Sequence, residues 1–282
     1  MSGREKEMAE LLAKAHRNQR LLAVLAHVTS NVSAVLDLGC GIGVLTKRIA
    51  ERFPSTLVVG IDKSKYLLSK LQTQKNVSTI LGDIPTLPFR NQSFDLAVAV
   101  QVLHEIFHFK GTKALNRTLQ NVFHLLRKDG EFIILDHFNP GDALISFKLP
   151  EETRNRLREF QSKFKPRKIT YNESSEGWLT TSMRDFCDFV TKIWALNSEL
   201  EEEEMSETHT PFTPQELENL VHDAGFRIEH TISLTPLDRN VQYYGITLEP
   251  ATRLPNRHIL LKARKRAKSD RYSREMHTYL AL

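Results

Sequence analysis

The segment Val35-Leu36-Asp37-Leu38-Gly39-Cys40-Gly41-Ile42-Gly43 constrains this chain more than any other stretch. An apolar strand runs into three alternating glycines and then into a helical pattern, the opening unit of a sheet whose ligand crevice lies at the strand's carboxyl end. Glycines there allow positive backbone angles and let a ligand approach the main chain closely. The spacing departs from the GxGxxG dinucleotide fingerprint, and Asp37 puts a negative charge where a pyrophosphate would gain nothing from one. A cationic ligand suits the turn better, which disfavours a nicotinamide-dependent oxidoreductase.

Short apolar runs then alternate with amphipathic stretches, the pattern of strand-helix units that build a parallel sheet. Strands are predicted at Ala34 to Leu38, Leu57 to Asp62, Val77 to Leu81, Phe94 to Val100 and Glu131 to Asp136, with helices at Gly43 to Arg52, Ser64 to Gln72 and Thr112 to Arg127. After Asn139-Pro140-Gly141 the chain turns charged and aromatic, and residues 141–211 read as a helical insertion or lid. A helix at Pro214 to Ala224, stopped by Gly225, precedes strands at Phe226 to Ser233 and Asn256 to Ala263 that complete the sheet. The division is therefore 1–140 for the N-terminal helix and ligand-binding half, 141–211, 212–264, and a basic tail over 265–282. The fold expected is a doubly wound, Rossmann-like α/β domain with a mostly parallel seven-stranded sheet and a helical insertion after the fifth strand.

Four segments in order, VLDLGCGIG, VVGIDKS, LGDIPTLPF and FDLAVAVQVLHEI, followed by LLRKDGEFIILD, resemble the class I S-adenosylmethionine-dependent methyltransferases, in particular the ubiquinone and menaquinone biosynthesis branch. The resemblance covers Val35 to Asp136 and implies S-adenosylmethionine as cofactor. It implies that Asp37 and the backbone of Gly39, Cys40, Gly41 and Gly43 face the cationic methionine end. Asp62 would accept hydrogen bonds from the ribose hydroxyls, as acids do about twenty residues past such a turn. Lys63 would flank the adenine, Asp83 would accept from its amine with the amide of Ile84 donating to a ring nitrogen, and Gln101 would line the methyl-donor channel. Taken singly, each has a plain structural alternative: a tight turn, a helix cap, a turn former before Pro85.

Methyl transfer depends mainly on holding the acceptor in line, so no signature residue is required. Where a general base helps, His104 after the fourth strand is the first candidate, with an ordinary polar contact on the next helix as the alternative, and His137 after the fifth strand is the second. The places of His108, Tyr171 and His209 depend on how the insertion folds. The segment after the fourth strand lacks the Asn/Asp-Pro-Pro-aromatic motif of amino-group methylation of adenine or glutamine. Cys40 and Cys187 are the only cysteines, which disfavours a covalent cytosine mechanism, a disulfide framework and a cysteine metal site. No carboxylate cluster marks a magnesium site, the run Glu201 to Glu204 reads as a solvated helix end, and no metal is expected.

The aromatics of the insertion, Phe147 and Trp194 among them, suit either an acceptor pocket or a small core. The acceptor expected is a small molecule methylated at oxygen, nitrogen or an activated carbon. Much of the net charge of +5 sits in the tail, in Lys262 to Arg274, which leaves an RNA or protein methyltransferase as the alternative, with a non-catalytic cofactor-binding module as another. Apolar windows such as Leu21 to Val28 are far shorter than the roughly 20 residues of a spanning helix, and the charged start MSGREKEMAELLAK does not read as a secretory signal. A cytoplasmic protein without a membrane span is expected.

Overall fold

All five residues of the first predicted strand, β1 (Ala34–Leu38), are buried, as a central strand covered on both faces must be. The computed structural model describes residues 3–14, 19–29, 31–72 and 74–266. Helices α1 (Gly3–Lys14) and α2 (Gln19–His27) precede β1, and α3 (Val44–Arg52), β2 (Leu57–Asp62), α4 (Lys65–Ser69), β3 (Val77–Leu81), β4 (Phe94–Val100), α5 (Leu103–Leu125) and β5 (Leu126–His137) follow. After the insertion come α9 (Pro214–Asp223), β9 (Phe226–Pro236), α10 (Asp238–Tyr243), β10 (Thr247–Leu248) and β11 (Asn256–Lys265). The seven-stranded sheet has the order β3-β2-β1-β4-β5-β11-β9. The first five strands run parallel, and β11 is antiparallel to both β5 and β9. Strand order reverses between β1 and β4, the point where such a sheet opens a ligand crevice.

Both faces of the sheet are covered. Leu36, Leu38, Ala97 and Phe132 pack toward α5 and α9 through Leu119, Val122 and Leu217, while Val35, Val58 and Val98 pack toward α2 and α3 through Val24 and Ile49. Each such fully buried aliphatic side chain contributes roughly 1.5–3 kcal/mol.

Helix α5 differs from expectation at both ends. It starts at Leu103 rather than Thr112, kinks where Gly111 takes φ 77°, and gives Leu126 and Arg127 to β5. The early start has a partner in another strand: Oδ2 of Asp136, on β5, accepts the backbone N–H groups of Leu103 at 2.9 Å and His104 at 3.2 Å. A carboxylate supplied from outside satisfies the open amides of the helix start, a cap that no neighbouring residue announces.

Where a helical insertion is expected, helices and strands occur together. β6 (Leu144–Lys148), α6 (Glu151–Lys163), β7 (Asn172–Glu173), β8 (Leu179–Ser182), α7 (Met183–Lys192) and α8 (Glu201–Ser206) form it, and a four-stranded sheet of order β10-β6-β8-β7 runs through it. Its core holds Phe147, Phe160, Phe186 and Phe189, joined by Leu237, Val241, Tyr244 and Ile246 from beyond α9. The stretch around α10 and β10 thus leaves the large sheet to cover this second core. Glu204, expected on a solvated helix end, is buried because it pairs with Lys192, itself fully buried, at 2.7 Å.

At the other end of the sheet, Oδ2 of Asp95 accepts from the Ser33 hydroxyl at 2.6 Å and the Ser33 amide at 2.8 Å, and Arg127 pairs with Oδ1 at 2.8 Å. Burial alone would raise the Asp95 carboxyl, but these partners hold it down at about 2. The lowered value means that this stability is complete above the ordinary carboxylate range and is lost as pH falls from about 4 to about 2. Asp95→Asn is expected to cost about 1–2 kcal/mol at neutral pH, discounted for solvent screening, and nothing at pH ~2, read by urea unfolding at both pH values.

Two cations of the basic run are already paired: Lys262 with Glu131 at 3.0 Å, and Arg264 with Glu131 and with Glu229, the latter at 2.6 Å. Residues 267–282 of the expected tail lie outside the described residues. No helix among those described is long and apolar enough to cross a membrane.

Candidate active site

Gly39 and Gly41, at φ +68° and +55°, occupy the left-handed region that side chains disfavour. A Cβ on Gly39 would lie 2.8 Å from Cγ2 of Val102, and one on Gly41 would lie 2.9 Å from Cδ1 of Leu12 on α1. The turn is a cradle that a side chain would fill. Cys40 tucks its sulfur under it, where a Cβ at Gly60 would meet Sγ at 2.7 Å, and burial pushes the thiol up. Gly43 starts α3, and a Cβ there would lie 2.1 Å from Leu71 Cδ1, so its service is to helix packing rather than to the cavity wall.

Asp62, at the end of β2, accepts the Gly41 amide at 2.9 Å and the Ser64 amide at 2.8 Å. It therefore braces the turn while each carboxylate oxygen keeps another lone pair. Asp37 lies under the turn and accepts from the Thr46 hydroxyl at 2.5 Å. Burial pushes its carboxyl up to about 7 despite that hydrogen bond.

A cavity of about 690 Å³ runs from this turn to the end of β5. That lies inside the roughly 300–1,000 Å³ of pockets that enclose cofactor-sized ligands. Asp37, Gly39, Cys40, Gly41, Asp62, Lys63 and Gln101 line it together with His104 and His137. A smaller adjoining cleft shares Gly39, Asp62, Lys63 and Gln101 with it and is closed by Asp83, Ile84, Phe109 and Lys110. Asp83 is paired with Lys110, and Lys63 reaches Glu105 at 3.6 Å across the opening. Helix α1 roofs the cavity: Glu5 accepts from the Ser64 hydroxyl at 2.8 Å, Glu7 accepts the Glu199 amide at 2.9 Å, and Arg4 lies 3.6 Å from Glu203.

The far end is built of imidazoles and acids. His104 Nδ1 meets Oδ1 of Asp136 at 2.6 Å, which leaves Nε2 facing the cavity. Burial would push the His104 ring down, but the Asp136 carboxylate overrides it and raises the ring to about 10. A ring held protonated at neutral pH presents a hydrogen-bond donor at Nε2 to the cavity. His137 and His209 stack with centroids 4.0 Å apart and planes 4° from parallel, and burial keeps both neutral. Gln101, at φ 53°, holds His137 Nε2 at 2.8 Å through its amide nitrogen and accepts from Arg20 at 2.6 Å.

Asp136, Glu204, Glu207, His209 and Arg257 join the site without being expected there. Asp136 reads as an ordinary strand end, and the segment carrying Glu207 and His209 reads as polar linker. A lone His between two threonines, Thr208 and Thr210, is the only trace that the linker turns inward. Of the aromatics of the insertion, Trp194 reaches the cavity, Tyr171 packs against the second core, and five of the phenylalanines lie within that core.

Comparison with known proteins agrees with this geometry. Residues 35–130 match the family model described as a methyltransferase domain. Malonyl-[acyl-carrier protein] O-methyltransferase of Bacillus anthracis is 25% identical over 184 residues, covering 58% of this chain and 65% of the relative. The 2-phytyl-1,4-naphtoquinone methyltransferase of Nostoc punctiforme is 30% identical over 135 residues, covering 45% of this chain and 56% of the relative. The chain thus spans less than two thirds of either. An S-adenosylmethionine dependent methyltransferase from Mesorhizobium loti superposes with a TM-score of 0.56 at 18% identity, covering 89% of this chain and 100% of its own. With the glycine cradle, the braced acid after β2 and the strand order all in place, residues 35–130 match a methyltransferase domain, and the chain shares its fold with a solved S-adenosylmethionine dependent methyltransferase.

Proposed function

We propose that this chain transfers a methyl group from S-adenosylmethionine to a small-molecule acceptor held at the histidine-lined end of the cavity. One observation carries the reading: the glycine cradle and the histidine cluster open into the same roofed space. The bound cofactor supplies an electrophilic methyl group on a sulfonium. Asp62 holds the ribose, Asp83 and the Ile84 amide meet the adenine edge, and Asp37 gives the cationic end a buried counter-charge. Gln101, tied between Arg20 and His137, stands between the two ends of the cavity. Helix α1 and Trp194 keep water out, which strengthens every charge interaction inside. His104 and His137 orient the acceptor, and rate comes from the in-line placement they enforce. The relatives named for a naphtoquinone and for a malonyl group on an acyl-carrier protein support a small acceptor group.

Calorimetric titration with S-adenosylmethionine, S-adenosylhomocysteine and NADH tests the reading, followed by a labelled-methyl screen of small acceptors. Binding of the first two in the micromolar range, and not of NADH, is expected. Because Asp37 rests protonated below about 7, a cationic ligand must displace that proton. Affinity should therefore rise with pH between about 5 and 7, by up to about tenfold per unit at the acid end. Absence of binding at any pH, or a flat profile, would overturn the assignment.

A further inference from the structure

Three histidines from three separate segments converge on the acceptor end: His104 from α5, His137 from β5 and His209 from the linker after α8. One ring nitrogen of each lies within 4.8 Å of the others, and all three residues are buried. Glu207 belongs to the same wall, with Oε2 3.9 Å from His104 Nε2 and Oε1 3.9 Å from His209 Nε2. Two rings are already oriented from behind, His104 by Asp136 and His209 by Thr191, whose Oγ1 lies 3.1 Å from Nδ1. An imidazole whose second nitrogen is fixed by a carboxylate or hydroxyl is the usual form of a metal ligand.

The wall also holds unmet polar atoms. Six buried side-chain nitrogens or oxygens among the described residues have no hydrogen-bond partner, and four of them, His137 Nδ1, Glu207 Oε2, Arg257 Nε and His258 Nδ1, surround this cluster. Glu207 and His137 are 5% and 2% exposed, so water does not serve them freely. Leaving a buried acceptor such as Glu207 Oε2 unpaired costs on the order of 1–3 kcal/mol, and an ion in the cluster removes that cost.

We propose that His104, His137, His209 and Glu207 bind one divalent transition ion of the zinc class at the acceptor end of the cavity. This rests on the reading that the acceptor lies there, and it departs from the sequence-based expectation of no metal. Imidazole nitrogens with one carboxylate favour such ions over magnesium or calcium, which take oxygen ligands. Bonds of about 2.0–2.2 Å require ligand atoms roughly 3.3 Å apart, so the three imidazole nitrogens close by at most about 1.5 Å, and one ring of the His137–His209 stack turns so that both aim a lone pair at the ion. The ion takes the place of the proton on Nε2 of His104, and the carboxylates of Asp136, Glu204 and Glu207 together offset its two charges and that of Lys192. With three imidazoles bound, the position toward the cavity suits an oxygen, nitrogen or sulfur atom of the acceptor, which the ion orients and acidifies.

The full chain, stripped with a chelator, is titrated with Zn²⁺ against a chromogenic competitor and separately with Co²⁺, whose visible bands report ligand type. The expected result is one ion per chain, a Co²⁺ spectrum of four- or five-coordinate nitrogen and oxygen ligation without thiolate bands, and a loss of about a hundredfold in affinity in both His209→Ala and Glu207→Gln. Substoichiometric uptake, an octahedral water-like Co²⁺ spectrum on the unaltered protein, or one ion per chain indifferent to both substitutions would each overturn the proposal. The cobalt spectrum of the unaltered chain needs no variant to fold. Calorimetry with S-adenosylmethionine on the stripped protein separates the two readings: cofactor binding without metal uptake sinks the ion alone, and metal uptake without cofactor binding sinks the methyl-transfer reading.

Discussion

Replacing Asp62 with alanine is expected to weaken S-adenosylmethionine binding by about a hundredfold or more in a calorimetric titration, while the chain stays folded. The carboxylate sits at the end of β2, buried, between the glycine turn and the cavity. Its two oxygens already accept the Gly41 and Ser64 amides at 2.9 and 2.8 Å, which fixes them in place before any ligand arrives. Each keeps a lone pair for one ribose hydroxyl, and hydrogen bonds to a charged acceptor contribute roughly 1.5–3 kcal/mol each. Two of them correspond to a factor of about a hundred or more in affinity. The alanine variant also frees the Gly41 amide, so the thermal midpoint should fall by a few degrees, on the scale of about 2–4 °C per kcal/mol for a domain of this size. Asp62→Asn keeps one acceptor oxygen and should fall between, near tenfold. Unchanged affinity in the alanine variant would reduce Asp62 to a brace for the turn and remove the ribose assignment.

How far this site was legible depended on the distance over which each residue's environment is decided. β1, β2, β3 and β4 match the predicted bounds residue for residue because each is a short apolar run ended by a local turn. Gly39, Gly41 and Asp62 were readable for the same reason, since one strand-turn-helix unit sets their geometry. The acceptor end is different. Asp136 becomes a helix cap and a histidine anchor only after β5 lies beside β4, and His258 stands opposite His137 only in the antiparallel register of β11 on β5. Glu204 has the polarity of a solvated helix and is buried by a lysine on another helix. The insertion hid two of its strands because β7 is two residues long and β8 four, too short for alternation to show. Gly111 obscured the true start of α5 by breaking its periodicity.

The segment that delivers His209 to the cavity is held by one buried acid, and removing it should have the largest effect on stability in the molecule. Asp188, on α7, is fully buried. It accepts the Thr208 and Thr210 hydroxyls at 2.6 and 2.9 Å and the His209 amide at 2.6 Å, and it pairs with Arg167 at 2.8 Å. Asp188→Ala strands the His209 amide and removes one of the two carboxylates on Arg167, which keeps Asp185 at 2.7 Å, and breaking such a buried network from one side costs about 3 kcal/mol. The thermal midpoint is expected to drop by about 10 °C. Asp188→Asn keeps the volume and one acceptor and should lose about half as much. Since the network anchors residues 208–210 and touches nothing at the glycine turn, cofactor affinity measured well below the midpoint should stay within about threefold while methyl transfer to any acceptor found falls at least tenfold. A variant as stable as the parent would mean that the insertion core, not Asp188, positions the linker. A cofactor affinity reduced as far as in Asp62→Ala would mean that the two ends of the cavity are one cooperative unit, and the separate roles assigned to them would have to be given up.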